Sequence, residues 1–399
     1  MQRFETFTAS MAQAVAYLKS HPIETVAMEA TGIYWIPLYD LLDAASIEVY
    51  LVNGAPVKQV PGRKSDLSDC QWIQQLHSCG LLSAGFVPPE AIRTLRQYWR
   101  LREDHIELAA AHVLLMQKAL ALMNLKLHKV ISQLTGASGL RIIEAILAGE
   151  RDPEHLADLC DKRILAHKRQ RVLRSLEGSY RDEQVFALRQ AYAAWRFYQG
   201  QIAECDAALA AWLEAHTAAL PEQLLDGKVK ALRHNGPRIE HLDEQLMQLT
   251  GGLDPTVLPC INDRTLLGLI AETGLDMTKW PTKQHFASWL GLAPRTDQSG
   301  KCRRNRRSKH KNRAGQIFRE AAHALGGSKY LALGGFYRRL RARGGPQIAN
   351  KAAARKLAGL YYDLLRYGRE YVEHGLAQYE QAYKQKQVER LSKRAHDNL

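Results

Sequence analysis

The stretch Thr25-Val26-Ala27-Met28-Glu29-Ala30-Thr31-Gly32 reads as a short apolar strand that ends on a carboxylate and then turns at a glycine. From Tyr34 to Ala45 the apolar residues recur at helical spacing. Ile47 to Val52 forms a second strand ending at Asn53-Gly54, and another helix begins near Ser65 with Trp72, Ile73 and Leu76 on one face. Strands alternating with helices of this length predict an α/β layer with a mainly parallel sheet.

Beyond about Ala91 the pattern changes. Leu95 to Leu134 is almost free of Gly and Pro, and its apolar residues recur at three and four. A second such run covers Asp182 to His216, with Phe186, Leu188, Trp195, Ile202 and Leu209. Lys162, Arg163, Lys168, Arg169 and Arg171 make a basic stretch between the two. Two long helices of opposite direction, forming a coiled-coil-like arm, are the expectation. Residues 218–245 read as a short helical insertion. Further on, Thr265 to Thr273 and Lys283 to Leu290 read as helices closed by Gly274 and by Gly291 with Pro294. Gln316 to Ala324 and Ile348 to Tyr367 follow, then a polar helical tail over Val372 to Arg394.

Lys and Arg number 55 against 41 Asp and Glu in 399 residues, a net charge of +14. Such a balance points to a polyanionic partner, because basic surface concentrates nucleic acid and displaces its counterions. The hydrophobic share of 46% supports a sizeable core and argues against global disorder. The six cysteines, at 70, 79, 160, 205, 260 and 302, include no Cys-x-x-Cys pair. They read as reduced structural thiols of an intracellular protein. No apolar run reaches the roughly 20 residues that span a bilayer, and no signal peptide opens the chain.

Two groups of residues carry candidate chemistry. Glu29 closes a strand, while Asp66 and Asp69 stand three apart at the start of a helix and so share one face. Carboxylates gathered from a strand end and a neighbouring helix suit Mg²⁺, which takes oxygen ligands and keeps water and phosphate oxygens in its remaining positions. Acids in a first helical turn behind Ser65 are equally what capping and the macrodipole favour. The second group is Asp297-Gln298-Ser299-Gly300-Lys301, leading into Arg303, Arg304, Arg306, Arg307, Lys309, Lys311 and Arg313. Cations at this density repel one another unless phosphates lie among them. A serine in that setting can attack a phosphodiester while guanidiniums stabilise the developing charge. Local sequence leaves Ser299 and Ser308 as rival nucleophiles beside the plainer reading, a nucleic-acid-binding loop.

Four blocks in order carry a family resemblance. Val26-Ala27-Met28-Glu29-Ala30-Thr31-Gly32-Ile33-Tyr34-Trp35 resembles the Glu-Ala-Thr-Gly block of the insertion-sequence one-ten family of transposases. Lys64-Ser65-Asp66-Leu67-Ser68-Asp69 is similar to its Lys-Thr-Asp-x-x-Asp block. Ala287-Ser288-Trp289-Leu290-Gly291-Leu292-Ala293-Pro294-Arg295 and Gln298-Ser299-Gly300-Lys301 resemble its C-terminal transposase domain.

The resemblance implies an α/β plus α fold with four regions. They are a RuvC-like, RNase H-type metal-binding domain over 1–92, a long antiparallel coiled-coil arm over 93–250, a mostly helical transposase domain over 251–345, and C-terminal helices and tail over 346–399. It implies a recombinase that cuts and rejoins DNA through a phosphoserine intermediate on Ser299, in preference to Ser308. Glu29, Asp66 and Asp69 would hold Mg²⁺. Lys301, Arg303, Arg304, Arg306, Arg307, Lys309, Lys311 and Arg313 would hold nucleic acid. The partners implied are element-end and target DNA, a non-coding guide RNA, and further copies of the chain, a serine of one working beside the acids of another. The location implied is a bacterial cytoplasm, at the nucleoid.

Two departures stand out. The family's first Asp lies on an opening strand, whereas here Met1 to Thr8 reads as the second hairpin strand, so the first strand and first acid are expected to be missing. Pro259-Cys260-Ile261-Asn262 occupies the place of Pro-Gly-Ile-Gly, a hairpin that approaches the DNA backbone, and Cys260 and Asn262 would hinder that approach. The alternatives are a catalytically incomplete remnant that only binds nucleic acid, and a metal-dependent junction nuclease that works through the acids alone.

Overall fold

The computed structural model describes residues 2–52, 66–221, 235–294, 296–299, 302–305, 312–328 and 332–368, with scattered positions after that. For 66–68, 296–299 and 302–305 it describes the backbone alone. The chain divides into two compact units, Met1–Pro89 and Glu90–Leu399.

In the first unit, helix α1 (Thr8–Lys19) precedes strand β1 (Thr25–Glu29), α2 (Ile36–Ala44), β2 (Glu48–Val52) and α3 (Asp66–Ser78). The two strands pair in parallel, with Thr25 opposite Glu48 and Glu29 opposite Val52. The β-α-β rhythm read from the sequence is therefore present. The strand expected over Met1–Thr8 is not. Gln2 to Phe7 has no regular structure, and Thr8 opens a helix of good helix formers free of Gly and Pro. A strand needs a ladder partner to satisfy its backbone, and among the described residues neither β1 nor β2 offers one to this segment.

The second unit is built on two long helices, α4 (Glu90–Leu122) and α8 (Asp182–Thr217). They run antiparallel: Arg102 meets Asp206, His112 stacks on Tyr198 at 5.6 Å, and Arg181 donates to the Leu122 carbonyl at 3.1 Å. Between them α5 (Ala137–Ala148), α6 (Pro153–Asp158) and α7 (Lys162–Leu176) close the far end over a core that includes Met123, Leu125, Ile142, Ile146, Val172 and Leu188. Of the basic stretch on α7, Arg169 is held by Asp158 at 2.6 Å and Glu154 at 2.5 Å, and Lys168 donates to the Val130 carbonyl. Much of the insertion read over 218–245 lies outside the described residues. Helix α9 (Leu242–Leu249) begins within its last residues.

The C-terminal helices α10 (Asp263–Thr273), α11 (Lys283–Trp289), α12 (Arg313–Leu325) and α13 (Ala332–Tyr367) surround Trp280, Phe286, Trp289, Phe318, Tyr361 and Tyr362. Helix α13 kinks where Gly345 takes φ 82° ahead of Pro346. Between α11 and α12 the chain forms a hairpin that the sequence reading left as a basic segment, β3 (Thr296–Ser299) and β4 (Cys302–Asn305).

Ionic links join α4 both to α8 and to this region. Arg102 is wholly buried, and its Nε donates to Asp206 at 2.5 Å, while Asp206 also accepts from the Arg238 backbone at 3.0 Å. Arg100 donates twice to the buried Glu272 of α10, at 2.8 and 2.7 Å, which raises the Arg100 pKa. Burial pushes its neighbour Arg96 down to about 10. Glu103 bridges from Arg102 to Arg264 at 2.6 Å, so α8, α4 and α10 are joined through charges.

A smaller clamp closes the base of the hairpin segment. Asn312 caps α12 by accepting from the Gly315 backbone at 2.9 Å, and its amide donates to the Trp289 carbonyl at 3.2 Å. Gly315 lies so close to the Leu290 carbonyl that a Cβ there would collide with it. The chain thus returns at 312–315 to the point it left at 289–290.

The substitution Asp206→Ala leaves the buried Arg102 with Glu103, at 3.3 Å, as its remaining counter-charge, and should cost about 3 kcal/mol in denaturant unfolding. The pair Arg102→Met with Asp206→Leu should recover most of that loss. Gly315→Ala should cost about 1–3 kcal/mol in the same measurement, because backbone must move to admit the methyl. Gly327→Ala, whose Cβ would meet its nearest neighbour at 3.7 Å, is the control.

Candidate functional site

The acids sit at one end of the parallel pair. Glu29 is the last residue of β1, and the next amide, Ala30, donates to Val52 at 2.8 Å, carrying the ladder one step further. Gly32 takes φ 56° in the turn that follows, a conformation glycine adopts without steric cost. The Thr31 hydroxyl donates to Glu29 Oε1 at 2.9 Å and fixes one carboxylate oxygen. Ile33 and Tyr34 stand 72% and 83% exposed just beyond.

Three contacts give the direction of α3. His77, near its C-terminus, meets the Thr25 hydroxyl at 2.7 Å and the Tyr50 ring at 4.7 Å. One turn earlier, Ile73 packs with Val52, the partner of Glu29. Moving from His77 to Ile73 along the helix therefore moves from Tyr50 to Val52 along β2. The helix runs antiparallel to the strands, and its N-terminal turn, with Asp66 and Asp69, points towards the end where Glu29 lies. At about 1.5 Å per helical residue and 3.3 Å per strand residue, Asp69 and Glu29 are each about 12–13 Å from the Thr25–His77 contact.

This donor set suits a hard cation. It consists of carboxylates alone, one of them oriented by a hydroxyl. Asp69 is half-buried; Asp66 begins the helix, and its side chain lies outside the described residues, as does Ser65. Among the described residues no three His, Cys, Asp or Glu side chains are grouped to hold a metal. The sequence singled out the acids, but not Thr31 or His77, whose roles depend on partners brought together by the fold.

Ser299 is the last residue of β3 and pairs with Cys302 across a two-residue connection, Gly300-Lys301. Arg303 lies opposite Gln298 and Arg304 opposite Asp297 in the same antiparallel ladder. Lys301, Arg306, Arg307, Ser308, Lys309 and Lys311 lie outside the described residues. Arg313 is the first residue of α12, half-exposed and 3.5 Å from Asp104. The hairpin brings Ser299 into one two-stranded unit with Arg303 and Arg304, above the clamp at its base.

The segment Pro259–Asn262 forms a tight turn into α10 in place of the hairpin expected there. Cys260 takes φ 63°, the left-handed backbone natural to glycine, and Asn262 caps the helix by accepting from the Thr265 amide at 2.9 Å. Cys70, Cys79, Cys160, Cys205 and Cys260 are all free thiols. Among the described residues no helix is long and apolar enough to cross a membrane.

Comparison with known proteins matches the two segments that carry these residues. A family model described as a transposase, that of the Asp-Glu-Asp-Asp type in the IS110 group, matches residues 1–124 and contains Glu29, Asp66 and Asp69. A second, described as the transposase IS116/IS110/IS902 family, matches residues 256–329 and contains Ser299 and the whole basic patch. No curated protein matches the chain. The two matches fall in the family's order, one over the strand–helix acids and one over the pinned hairpin, and the chain belongs to the IS110 family of transposases.

Proposed function

We propose that the chain recombines DNA by transesterification at Ser299. The serine oxygen attacks a backbone phosphorus, the bond from phosphorus to the departing sugar oxygen breaks, and that oxygen takes up a proton. The serine proton passes to water. The phosphoserine linkage keeps the phosphodiester energy, so a hydroxyl of a second DNA end can reverse the step and release the serine. Arg303 and Arg304 oppose the negative charge that develops on the phosphate oxygens. Glu29, Asp66 and Asp69 would hold Mg²⁺, which when bound supplies charge neutralisation and orientation of phosphate oxygens.

What carries this reading is the placement of Ser299 at the tip of a cationic hairpin whose base is clamped by Asn312 and Gly315. We further infer that the parallel pair with its antiparallel helix α3 belongs to a RuvC-like layer, and that α4 and α8 act as a coiled-coil arm. A guide RNA selects the DNA, and several protomers assemble on it.

A second reading, binding without turnover, is favoured by the net charge of +14 and the density of Lys and Arg over 301–313. It would use the arm and the basic patch only.

The two readings separate in one experiment. The full chain is incubated with Mg²⁺, the DNA that flanks its reading frame and RNA transcribed from that DNA, then run under denaturing conditions. A covalent protein–DNA band is expected from the wild type and from Ser308→Ala, and none from Ser299→Ala. Glu29→Gln and Asp69→Asn should each slow its formation by about a hundredfold or more. An adduct that survives Ser299→Ala sinks the serine assignment. Binding without any adduct, losing roughly three to five decades of affinity between 50 and 200 mM salt for 6–10 phosphate contacts, supports the second reading.

A further inference from the structure

Four leucines recur at intervals of seven along α4, Leu101, Leu108, Leu115 and Leu122, and they are 42%, 44%, 48% and 48% exposed. Between them, alternately three and four residues apart, lie the exposed Asp104, Ala111 and Lys118. Leu101-Asp104-Leu108-Ala111-Leu115-Lys118-Leu122 is therefore one ridge of alternating three- and four-residue steps. The protomer's own core takes a different face of the helix, through Leu95, Trp99, Arg102, Ala109, Met116, Ala119 and Leu120. Single exposed leucines are ordinary. Four in heptad register are what a second helix needs for knobs-into-holes packing, since a 3.5-residue repeat keeps one seam facing its partner.

We propose that this ridge is a self-association surface, on which α4 of a second copy of the chain lies antiparallel about a two-fold axis near Ala111. The ridge is complementary to itself in that direction. Asp104 and Lys118 each stand seven residues from Ala111, on opposite sides. Antiparallel pairing brings each Asp104 within a helical turn of the partner's Lys118, and does so twice. Parallel pairing would set aspartate against aspartate and lysine against lysine. Ala111, the smallest residue of the ridge, falls where two backbones crossing at a two-fold axis come closest. The nearest charged neighbour is compatible: Asp104 Oδ1 lies 3.5 Å from Arg313, which leaves Oδ2 for a second cation. An apolar ridge bearing one acid and one base offers nucleic acid no cationic track.

The inference rests on the geometry of α4 and not on the chemistry of Ser299, and it gives the assembly proposed above a surface. It is tested on the full chain without nucleic acid, by sedimentation over a range of concentrations. The wild type is expected to dimerise. The double variant Leu108→Glu/Leu115→Glu should raise the dissociation constant by at least about a hundredfold while keeping its helical circular dichroism. Asp104→Lys alone should weaken the dimer about tenfold, and Asp104→Lys with Lys118→Asp should restore it. A monomeric wild type, or a dimer indifferent to the leucine pair, overturns the proposal. So does a dimer that Asp104→Lys leaves unchanged, which would place the helices parallel or elsewhere. Because no DNA is present, loss of the covalent adduct in other experiments leaves the result untouched.

Discussion

A charge taken out of water must be met where it lies, and the wholly buried guanidinium of Arg102 imposes that condition on the second unit. Leucines facing leucines across α4 and α8 would tolerate a shift of one turn with little loss. Arg102 and Asp206 do not, because a slip of about 5.4 Å would strand both charges. The register they set is passed on. Glu103 reaches Arg264, and Arg96 and Arg100 hold Glu272, so α10 is positioned by the same stretch of α4 that grips α8. Desolvation offsets much of what these pairs gain, so their contribution is to specificity of arrangement more than to stability.

That arrangement explains which parts of the fold were legible in the sequence. The long helices were, because runs of thirty-odd residues with no Pro and no Gly but Gly200 admit little else. The strands β1 and β2 were legible as short apolar runs bounded by turn residues. Helix α1 was not, since Val15 is its sole buried residue and its apolar positions form no clear face. Hairpin β3–β4 escaped for a stronger reason. Its sequence, Thr296-Asp297-Gln298-Ser299 and Cys302-Arg303-Arg304-Asn305, has none of the apolar alternation that marks a half-buried strand. The one available signal was a glycine opening a two-residue connection, the pattern of a tight hairpin turn.

The site divides along the same line. Which residues bear carboxylates and which serine stands among cations can be read from the chain. The direction of the helix that carries Asp66 and Asp69 relative to the strand that ends at Glu29 cannot, because it depends on pairs such as Thr25 with His77 and Tyr50 with His77, far apart in sequence. The Cys260 position carries a similar lesson. Cys260 holds a left-handed backbone natural to glycine, ahead of the Asn262 cap.

A polar two-stranded hairpin has marginal stability of its own, since it buries little apolar surface. If β3–β4 is to present Ser299 reproducibly, order has to come from outside the hairpin. The protein supplies it at the base: Asn312 spans to Trp289, and Gly315 packs against Leu290 with no room for a side chain. The sequence around the hairpin carries Arg303, Arg304 and their basic neighbours, a density of like charge that favours phosphates lying among them. The fold thus fixes the two chain segments at the hairpin's base, 289–290 and 312–315. Under the transesterification proposed above, a serine on such an element would meet its phosphodiester once nucleic acid had neutralised the patch, which would couple reactivity to binding without a separate switch.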